Sequence, residues 1–267
     1  MNRYLFIDHG YYSFYRIYAT QRWYKFSHRE ENIIDNEYNW INNSLFMEKL
    51  KQMYEKTLIE LSKKYQIDLK NIYICLDCGL PDNWRLEHYT EYKKNRNVES
   101  NMKDIFNILY NDILINVSNK YTINILKCDR CEADDIIGTI LLNDTMIEKG
   151  IVITSDMDYL QLIKNNIELY DLKGNSLIKK SIGTADKDLL LKILMGDKSD
   201  NITSVFNKCG IKTAMKYIEN KELLLKKLTE NDLFKEKYNL NKKIIDINEI
   251  PIELKDNILE IWKNIKN

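Results

Sequence analysis

Short apolar runs rich in β-branched residues alternate along most of the chain with longer stretches of helical periodicity. The short runs are RYLFID (3–8), NIYICLD (71–77), INILKC (123–128), IVITSD (151–156) and IELYD (167–171). Helical patterns occupy 44–65, about 98–120 and 133–149. This order predicts a parallel sheet with crossover helices. The runs are almost continuously apolar, which is typical of strands buried on both faces of a sheet.

From about Asp186 onward the pattern is helical. The helical segments are DKDLLLKILMGD (186–197), KTAMKYIEN (212–220), ELLLKKL (222–228) and a last helix that ends the chain. We therefore predict an α/β fold with a sheet domain over residues 1–180. A helical C-terminal region over 181–267 is expected to pack on that domain.

Composition is that of an ordinary globular protein. The chain has 267 residues, of which 44% are hydrophobic and 30% charged, with only 8 Gly and 2 Pro. This length allows one α/β domain with a helical appendage, and the scarcity of Gly and Pro argues against disorder or a turn-rich all-β fold. No apolar stretch reaches the roughly 20 residues of a membrane span, and the N-terminus lacks the layout of a signal peptide. We expect a soluble, intracellular protein without a membrane partner.

Two Cys-x-x-Cys pairs, Cys75/Cys78 and Cys128/Cys131, resemble the halves of a four-cysteine zinc site. However, Cys75 lies in a predicted strand, where a spacing of three places side chains on opposite faces. A zinc site needs a turn there. Reduced, semi-buried thiols are favoured over zinc, and a disulfide is favoured least.

Acidic residues follow four of the predicted strands. They are Asp8 after the first, Asp77 after the second, Glu132, Asp134 and Asp135 after the third, and Asp156 and Asp158 after the fourth. The carboxyl ends of parallel strands face one crevice, where ligands bind. Helix capping is the alternative explanation, but it accounts for only one or two acids per site. A cluster of carboxylate oxygens favours Mg²⁺ or Mn²⁺.

MGDKSDN (195–201) adds Asp197 and Asp200 to this candidate set, although turn residues at a helix end explain these two equally well. Nine of the 40 acidic residues are then in the set, which leaves 31 acids against 40 bases elsewhere. An acidic, metal-filled cleft on an otherwise basic surface is suited to a polyanionic substrate.

With these motifs, the chain resembles the structure-specific 5′ nucleases from Tyr4 to about Tyr217. These include flap endonucleases, the 5′-nuclease domain of bacterial DNA polymerase I, and phage 5′ exonucleases and ribonucleases H. The matching segments are LFIDHGYYSFYRIY, CLDCGLPDNWRLEHYTEYKKNR, CEADDIIGTI, TSDMDYLQLI and MGDKSDNI, in the family's order. The resemblance implies a PIN-like sheet with helices on both faces and an H3TH-like element over about 186–219. It also implies a helical arch over about 80–105, within the 1–180 catalytic domain.

The resemblance also implies roles for individual residues. Two Mg²⁺ ions, which Mn²⁺ can replace, would be bound in two sets. The first set is Asp77, Glu132, Asp134 and Asp135, with Asp8 close by through water, and the second is Asp156, Asp158, Asp197 and Asp200. Lys93 and Arg96 would act on the scissile phosphate as catalytic cations, while Arg85 orients nearby acids. Tyr92 would stack on a base.

Nucleic-acid binding is implied for Tyr92, Lys93, Lys94 and Arg96 in the arch and for Lys208, Lys212 and Thr213 in the H3TH-like element. The family's hairpin there is rich in glycine, whereas NITSVFNKCGIKTA retains only Gly210, which reduces close approach of backbone N–H groups to phosphate. The implied function is 5′-3′ exonuclease or flap endonuclease activity in replication or repair. The implied substrate is DNA with a 5′ single-stranded end, flap or nick, with RNA:DNA hybrids as a further substrate, and the expected state is a monomer.

Several alternatives remain open from the sequence. A PIN-type ribonuclease would share the sheet, but small PIN domains end before an SDN motif and a helical C-terminus. A catalytically inactive nucleic-acid-binding scaffold would not need all nine acids. Residues 84–105 also fit a solvated loop. The aromatic residues of 11–18 and Trp23 are interpreted as helix and core packing, and 21–43 is unassigned.

Overall fold

The structure, a computed structural model, describes residues 2–34, 37–96 and 100–266, without the side chains of residues 100 and 101. Its centre is a five-stranded parallel sheet of order β3-β2-β1-β4-β5. The strands are β1 (Arg3–Asp8), β2 (Ile72–Cys75), β3 (Asn124–Leu126), β4 (Lys149–Ile153) and β5 (Ile167–Tyr170). The predicted parallel α/β fold is confirmed.

Four helices cover one face of this sheet. They are α1 (His9–Ser27), α2 (Ser44–Tyr65), α3 (Ser100–Ile108) and α4 (Leu114–Tyr121), with a π-helical segment, Leu109–Ile113, between the last two. Leu5 and Ile7 of β1 point into the core beneath these helices. Tyr4 and Phe6 alternate with them and point to the opposite face, as the two-residue period of a strand requires.

The opposite face of the sheet is covered by α5 (Ala133–Asn143) and α10 (Ile252–Lys266). Trp262 of α10 packs edge-on against Tyr4, with ring centroids 5.2 Å apart. The last helix therefore contributes to the core of the sheet, although it lies within the C-terminal region predicted from the sequence.

Between β5 and α10 lie α6 (Ala185–Met195), α7 (Ile211–Glu219), α8 (Lys221–Thr229) and α9 (Asp232–Ile245). Leu194, Val205, Phe206, Ala214 and Ile218 form the centre of a smaller core shared by these helices. The sequence pattern predicted the first three of these helices and missed α9, whose apolar positions are separated by many charged residues.

The predicted helix over 133–149 was too long. It ends at Asn143, because the Asp144 carboxylate accepts a hydrogen bond from the Met146 backbone N–H and forms a turn. The same carboxylate accepts from Nε1 of Trp262 at 2.8 Å. β4 consequently begins at Lys149, two residues earlier than the pattern indicated.

Candidate metal centre and nucleic-acid interface

The carboxyl ends of the strands open into one pocket. Eight of the nine predicted acids line it: Asp8, Asp77, Glu132, Asp134, Asp156, Asp158, Asp197 and Asp200. The sheet order reverses at β1, which pairs with both β2 and β4. Such a switch point is where ligands of open α/β sheets bind. The fold thus brings together carboxylates that are up to 192 positions apart in the sequence.

Asp8 lies at this switch point, where α1 follows β1 directly. Its Oδ1 accepts from the backbone N–H of Tyr11 at 3.1 Å, and its Oδ2 accepts from Oγ1 of Thr154, just after β4, at 3.1 Å. Burial, followed by the charge of Asp77, raises the pKa of Asp8 to about 6. A Cβ at Gly10 would lie 3.1 Å from Oδ2 of Asp77 and 3.4 Å from Oδ1 of Asp8, so the glycine leaves room beside both acids.

A second group of acids lies where β4 faces the loop after α6. Carboxylate oxygens of Asp158, Asp197 and Asp200 lie within 4.8 Å of one another, and they form the one such metal-ligand group in the described part of the chain. The loop is closed by reciprocal backbone hydrogen bonds between Asp197 and Ile202 of 2.9 and 2.7 Å. Burial, followed by the neighbouring Asp156, raises the pKa of Asp158 to about 7.

Asp135 does not join the pocket. It is fully buried, and its two carboxylate oxygens accept from Nη1 and Nη2 of Arg85, both at 2.8 Å. Nε1 of Trp84 and the Glu132 backbone N–H donate to the same carboxylate. The predicted role as a direct metal ligand is therefore not supported, because both oxygens of Asp135 accept from Arg85 and the residue does not line the pocket. Helix capping, the alternative explanation, applies here, since Glu132 and Asp135 form a capping box at the start of α5.

Two of the predicted cations already bind acids of the pocket. Lys93 forms an ion pair with Glu132, and Arg96 forms one with Asp200. Lys93 has a left-handed backbone (φ 54°), and its N–H donates to the carbonyl oxygen of Asp200 at 2.9 Å. Both side chains line the pocket. Of the arch predicted over about 80–105, residues 80–96 and 100–105 are described, and 97–99 lie outside the described residues.

Tyr92 and Lys94 differ from what was expected. The side chain of Tyr92 is only 3% exposed, and its hydroxyl donates to Oε2 of Glu132 at 2.7 Å. A ring in this position cannot stack on a base, so the predicted stacking role is wrong for this conformation. Lys94 is exposed and paired with Glu91 at 2.7 Å, away from the residues that line the pocket.

Several lining residues were missed, among them one cation and one aromatic residue. Lys192 of α6 forms ion pairs with Asp158 and Asp197, but a lysine in an amphipathic helix carries no motif that would reveal it. Phe14 was assigned to packing, yet its side chain is 39% exposed and lines the pocket. The polarity pattern of α1 gives no signal for this exposure, because polar residues such as Ser13 and Gln21 are buried in the same helix.

The predicted H3TH-like residues lie in a helix–loop–helix formed by α6, residues 196–210 and α7. Lys208 has a left-handed backbone (φ 57°), and Lys212 and Thr213 are exposed in the first turn of α7. Gly210 caps this helix with φ −91°, and no atom lies within 4 Å of the position of an added Cβ. The α7 N-terminus thus presents an open surface with two basic side chains beside it.

The cysteines do not form a metal-ligand set among the described residues. Cys75, Cys128 and Cys131 are buried, Cys78 is half-buried, and all four are free thiols. Cys75 lies in β2, as its pattern predicted.

The sequence from residue 5 to residue 223 matches the family described as 5′-3′ exonuclease, N-terminal resolvase-like domain. The chain belongs to this family. Similar proteins include the 5′-3′ exonuclease of Buchnera aphidicola subsp. Acyrthosiphon pisum, 35% identical over 167 residues that cover 60% of this chain and 56% of that protein. The Ribonuclease H of Enterobacteria phage T4 is 27% identical over 228 residues, which cover 77% of this chain and 74% of that protein. The chain spans about half the length of the two Buchnera exonucleases that it matches.

Solved structures show the same fold. The flap endonuclease of bacteriophage T5, in a pseudo-enzyme–product complex with DNA and metal ions, superposes with a TM-score of 0.68 at 16% identity over 99% of this chain and 100% of that chain. A T5 protein crystallised with metal ions gives a TM-score of 0.67 at 17% identity over 98% of both chains. In this chain, none of the helices in the described residues is long and apolar enough to cross a membrane.

Proposed function

We propose that the chain is a divalent-metal-dependent 5′-3′ exonuclease and flap endonuclease that hydrolyses phosphodiester bonds at 5′ ends or flaps of DNA. The observation that carries this proposal is the convergence of eight carboxylates on one pocket that also contains Lys93 and Arg96. Acids alone would repel a phosphodiester, so cations must be present for this pocket to accept one. The family membership of residues 5–223 supports the same activity.

The chemistry of the donor set fits two Mg²⁺ ions, for which Mn²⁺ can substitute. All candidate ligands are carboxylate oxygens, which hard divalent cations prefer. Asp77, Glu132 and Asp134 would hold the first ion, with Asp8 beside them, and Asp156, Asp158, Asp197 and Asp200 would hold the second. Asp135 leaves the set proposed from the sequence. When bound, the cations activate water and stabilise the leaving oxygen of the phosphodiester.

Charged side chains of the chain itself would orient the reacting phosphate. Lys93 and Arg96 lie at the rim of the pocket and are balanced by Glu132 and Asp200, respectively. Once the metal ions neutralise Glu132 and Asp200, Lys93 and Arg96 would be available to a phosphate. They would then stabilise its charge during cleavage. Arg85 positions the acids from behind, since it contacts Asp135 at 2.8 Å and Glu132 at 3.2 Å.

We assign duplex binding to the helical region that begins at residue 181. Lys208, Lys212 and Thr213 lie at the N-terminal end of α7. Phosphate is favoured at such an end, where backbone N–H groups are unpaired and the helix dipole is positive. We also propose that exposed Lys94, in the segment that carries Lys93 and Arg96, contacts the nucleic acid. We propose that the chain acts as a monomer, since its own residues form both the carboxylate pocket and the helix–loop–helix.

An RNA strand in an RNA:DNA hybrid is a second candidate substrate, because one similar protein, from phage T4, is named Ribonuclease H.

The test is cleavage of 5′-labelled flap, nicked and RNA-primed duplexes with and without Mg²⁺. We expect short 5′ products from the flap substrate only when Mg²⁺ is present. A protein that binds the duplexes and leaves all three intact with Mg²⁺ and with Mn²⁺ would be a binding scaffold instead.

A further inference from the structure

We propose that Lys192 is a counter-ion of the Asp158–Asp197–Asp200 group and that a divalent cation must displace its ammonium to bind there. This displacement couples metal loading to duplex binding. This inference rests on the proposed function. It adds a residue that neither the family motifs nor the predicted ligand set includes.

The position of Lys192 is the first observation. Its Nζ lies 2.5 Å from Oδ1 of Asp158 and also forms an ion pair with Asp197. These two acids belong to the acid group whose oxygens lie within 4.8 Å of one another. The ammonium therefore neutralises part of the carboxylate charge that would otherwise attract a divalent cation. An ammonium cannot act as a ligand, and a second cation among the same oxygens would be repelled.

The second observation is that Lys192 borders two cavities. One is the carboxylate pocket, and the other lies beneath the helix–loop–helix, lined by Lys198, Thr203, Ser204 and Lys208 among others. The backbone of Lys192 is fixed, because its neighbours Ile193 and Leu194 are buried in the core. Its side chain, by contrast, is a flexible four-carbon stem. A metal ion that releases the ammonium from Asp158 and Asp197 leaves it free to turn toward the second cavity.

The cavity beneath the helix–loop–helix is where we place the duplex backbone, beside Lys208. A released ammonium would add one phosphate contact there, so duplex and metal would each favour the state in which Lys192 has left the acids. Coupling of this kind is reciprocal: the metal strengthens duplex binding by the same factor by which the duplex strengthens metal binding. Arg96 forms an ion pair with Asp200 of the same group, and Lys93 forms one with Glu132, but Lys192 alone of these three cations lines both cavities.

The test is a calorimetric titration of Mn²⁺ into the full chain without DNA, for wild type, Lys192→Met and Lys192→Arg. We expect Lys192→Met to bind one Mn²⁺ at least about fivefold more tightly than wild type, since the ammonium no longer competes for Asp158 and Asp197, while Arg96 keeps its ion pair with Asp200 in both proteins. Lys192→Arg retains the charge and should behave like wild type. Lys187→Met removes an exposed lysine from the same helix and controls for net charge. Thermal unfolding in EDTA verifies that each variant is folded, with Lys192→Met less stable because Asp158 and Asp197 lose their partner.

A second titration measures the dissociation constant of an uncleaved duplex with and without Ca²⁺. Wild type should bind the duplex several-fold more tightly with the cation, and Lys192→Met should lose most of that gain. Equal or weaker Mn²⁺ binding by Lys192→Met would overturn the proposal, as would an unchanged gain in duplex affinity. Both measurements are independent of turnover. A failure of the proposed nuclease activity would instead appear as intact flap substrate with wild-type protein and Mg²⁺.

Discussion

The guanidinium of Arg85 holds both carboxylate oxygens of Asp135 at 2.8 Å, in a site where both side chains are buried. The pair lies directly behind the pocket, since Asp134, the next residue, lines it. Arg85 also donates from Nε to the carbonyl oxygen of Ile244 at 2.8 Å, which ties the end of α9 to the same point. One arginine thus joins the start of α5 to the C-terminal helices.

We predict that Asp135→Asn lowers the free energy of unfolding by about 3 kcal/mol, because it leaves a buried guanidinium with an incomplete set of partners. Asp134→Asn is the matched control. Burial, followed by the charge of Asp135, raises the pKa of Asp134, so removing its charge should leave metal-free stability unchanged or higher. Urea unfolding in EDTA measures both variants. Equal losses of unfolding free energy in the two variants would contradict the assignment of Asp135 as a positioning residue and Asp134 as a pocket acid.

The loop that carries Asp197 and Asp200 depends on Gly196. This residue has φ 67°, and a Cβ there would lie 2.4 Å from the backbone oxygen of Ile202. Gly196→Ala should therefore destabilise the protein by about 2 kcal/mol or more and weaken Mn²⁺ binding by displacing the loop. Gly210→Ala, at φ −91° in open space, should cost less than about 1 kcal/mol. A Gly196→Ala variant with wild-type unfolding and Mn²⁺ affinity would refute this dependence.

Metal affinity should depend on pH below neutrality. The pKa of Asp158 is raised to about 7 and that of Asp8 to about 6, so both carboxyls retain protons in the metal-free protein at pH 5. A cation must displace these protons, and its apparent affinity should therefore rise as the pH increases from about 5 to 8. Titration of Mn²⁺ in two buffers of different ionisation enthalpy should reveal proton release at pH 6 and less release at pH 8.5. Absence of release at pH 6 would contradict the assignment of Asp158 as a ligand.

Substitution of one lysine should affect the cleavage rate, and substitution of another should affect duplex binding. Lys93 lines the pocket, whereas Lys212 is exposed on α7. Lys93→Ala should lower the single-turnover rate at saturating protein by about 100-fold or more, since its charge acts on the reacting phosphate. Lys212→Ala should leave that rate unchanged, weaken duplex binding and reduce the salt slope by about 1. The opposite assignment of rate and affinity effects would show that the two basic sites are interchanged.

Much of the fold could be predicted because the strands are short apolar runs with acids at their ends. β1 was predicted with its observed bounds, and Asp8 was predicted to line the crevice. The sequence could not show that Asp135 and Asp134 have different roles. Which of the two adjacent acids is buried depends on the position of Arg85 in the fold. The burial of Tyr92 depends likewise on Glu132, 40 positions away.

The central claim is that this carboxylate pocket cleaves 5′ flaps with divalent cations. The most direct measurement is single-turnover cleavage of a 5′-labelled flap by protein freed of metal with EDTA, before and after Mg²⁺ is restored, with Asp134→Asn alongside. We predict no product without metal, full cleavage with Mg²⁺, and a rate lower by orders of magnitude for a folded Asp134→Asn. Undiminished cleavage by the metal-free protein, or a wild-type rate for Asp134→Asn, would contradict the claim.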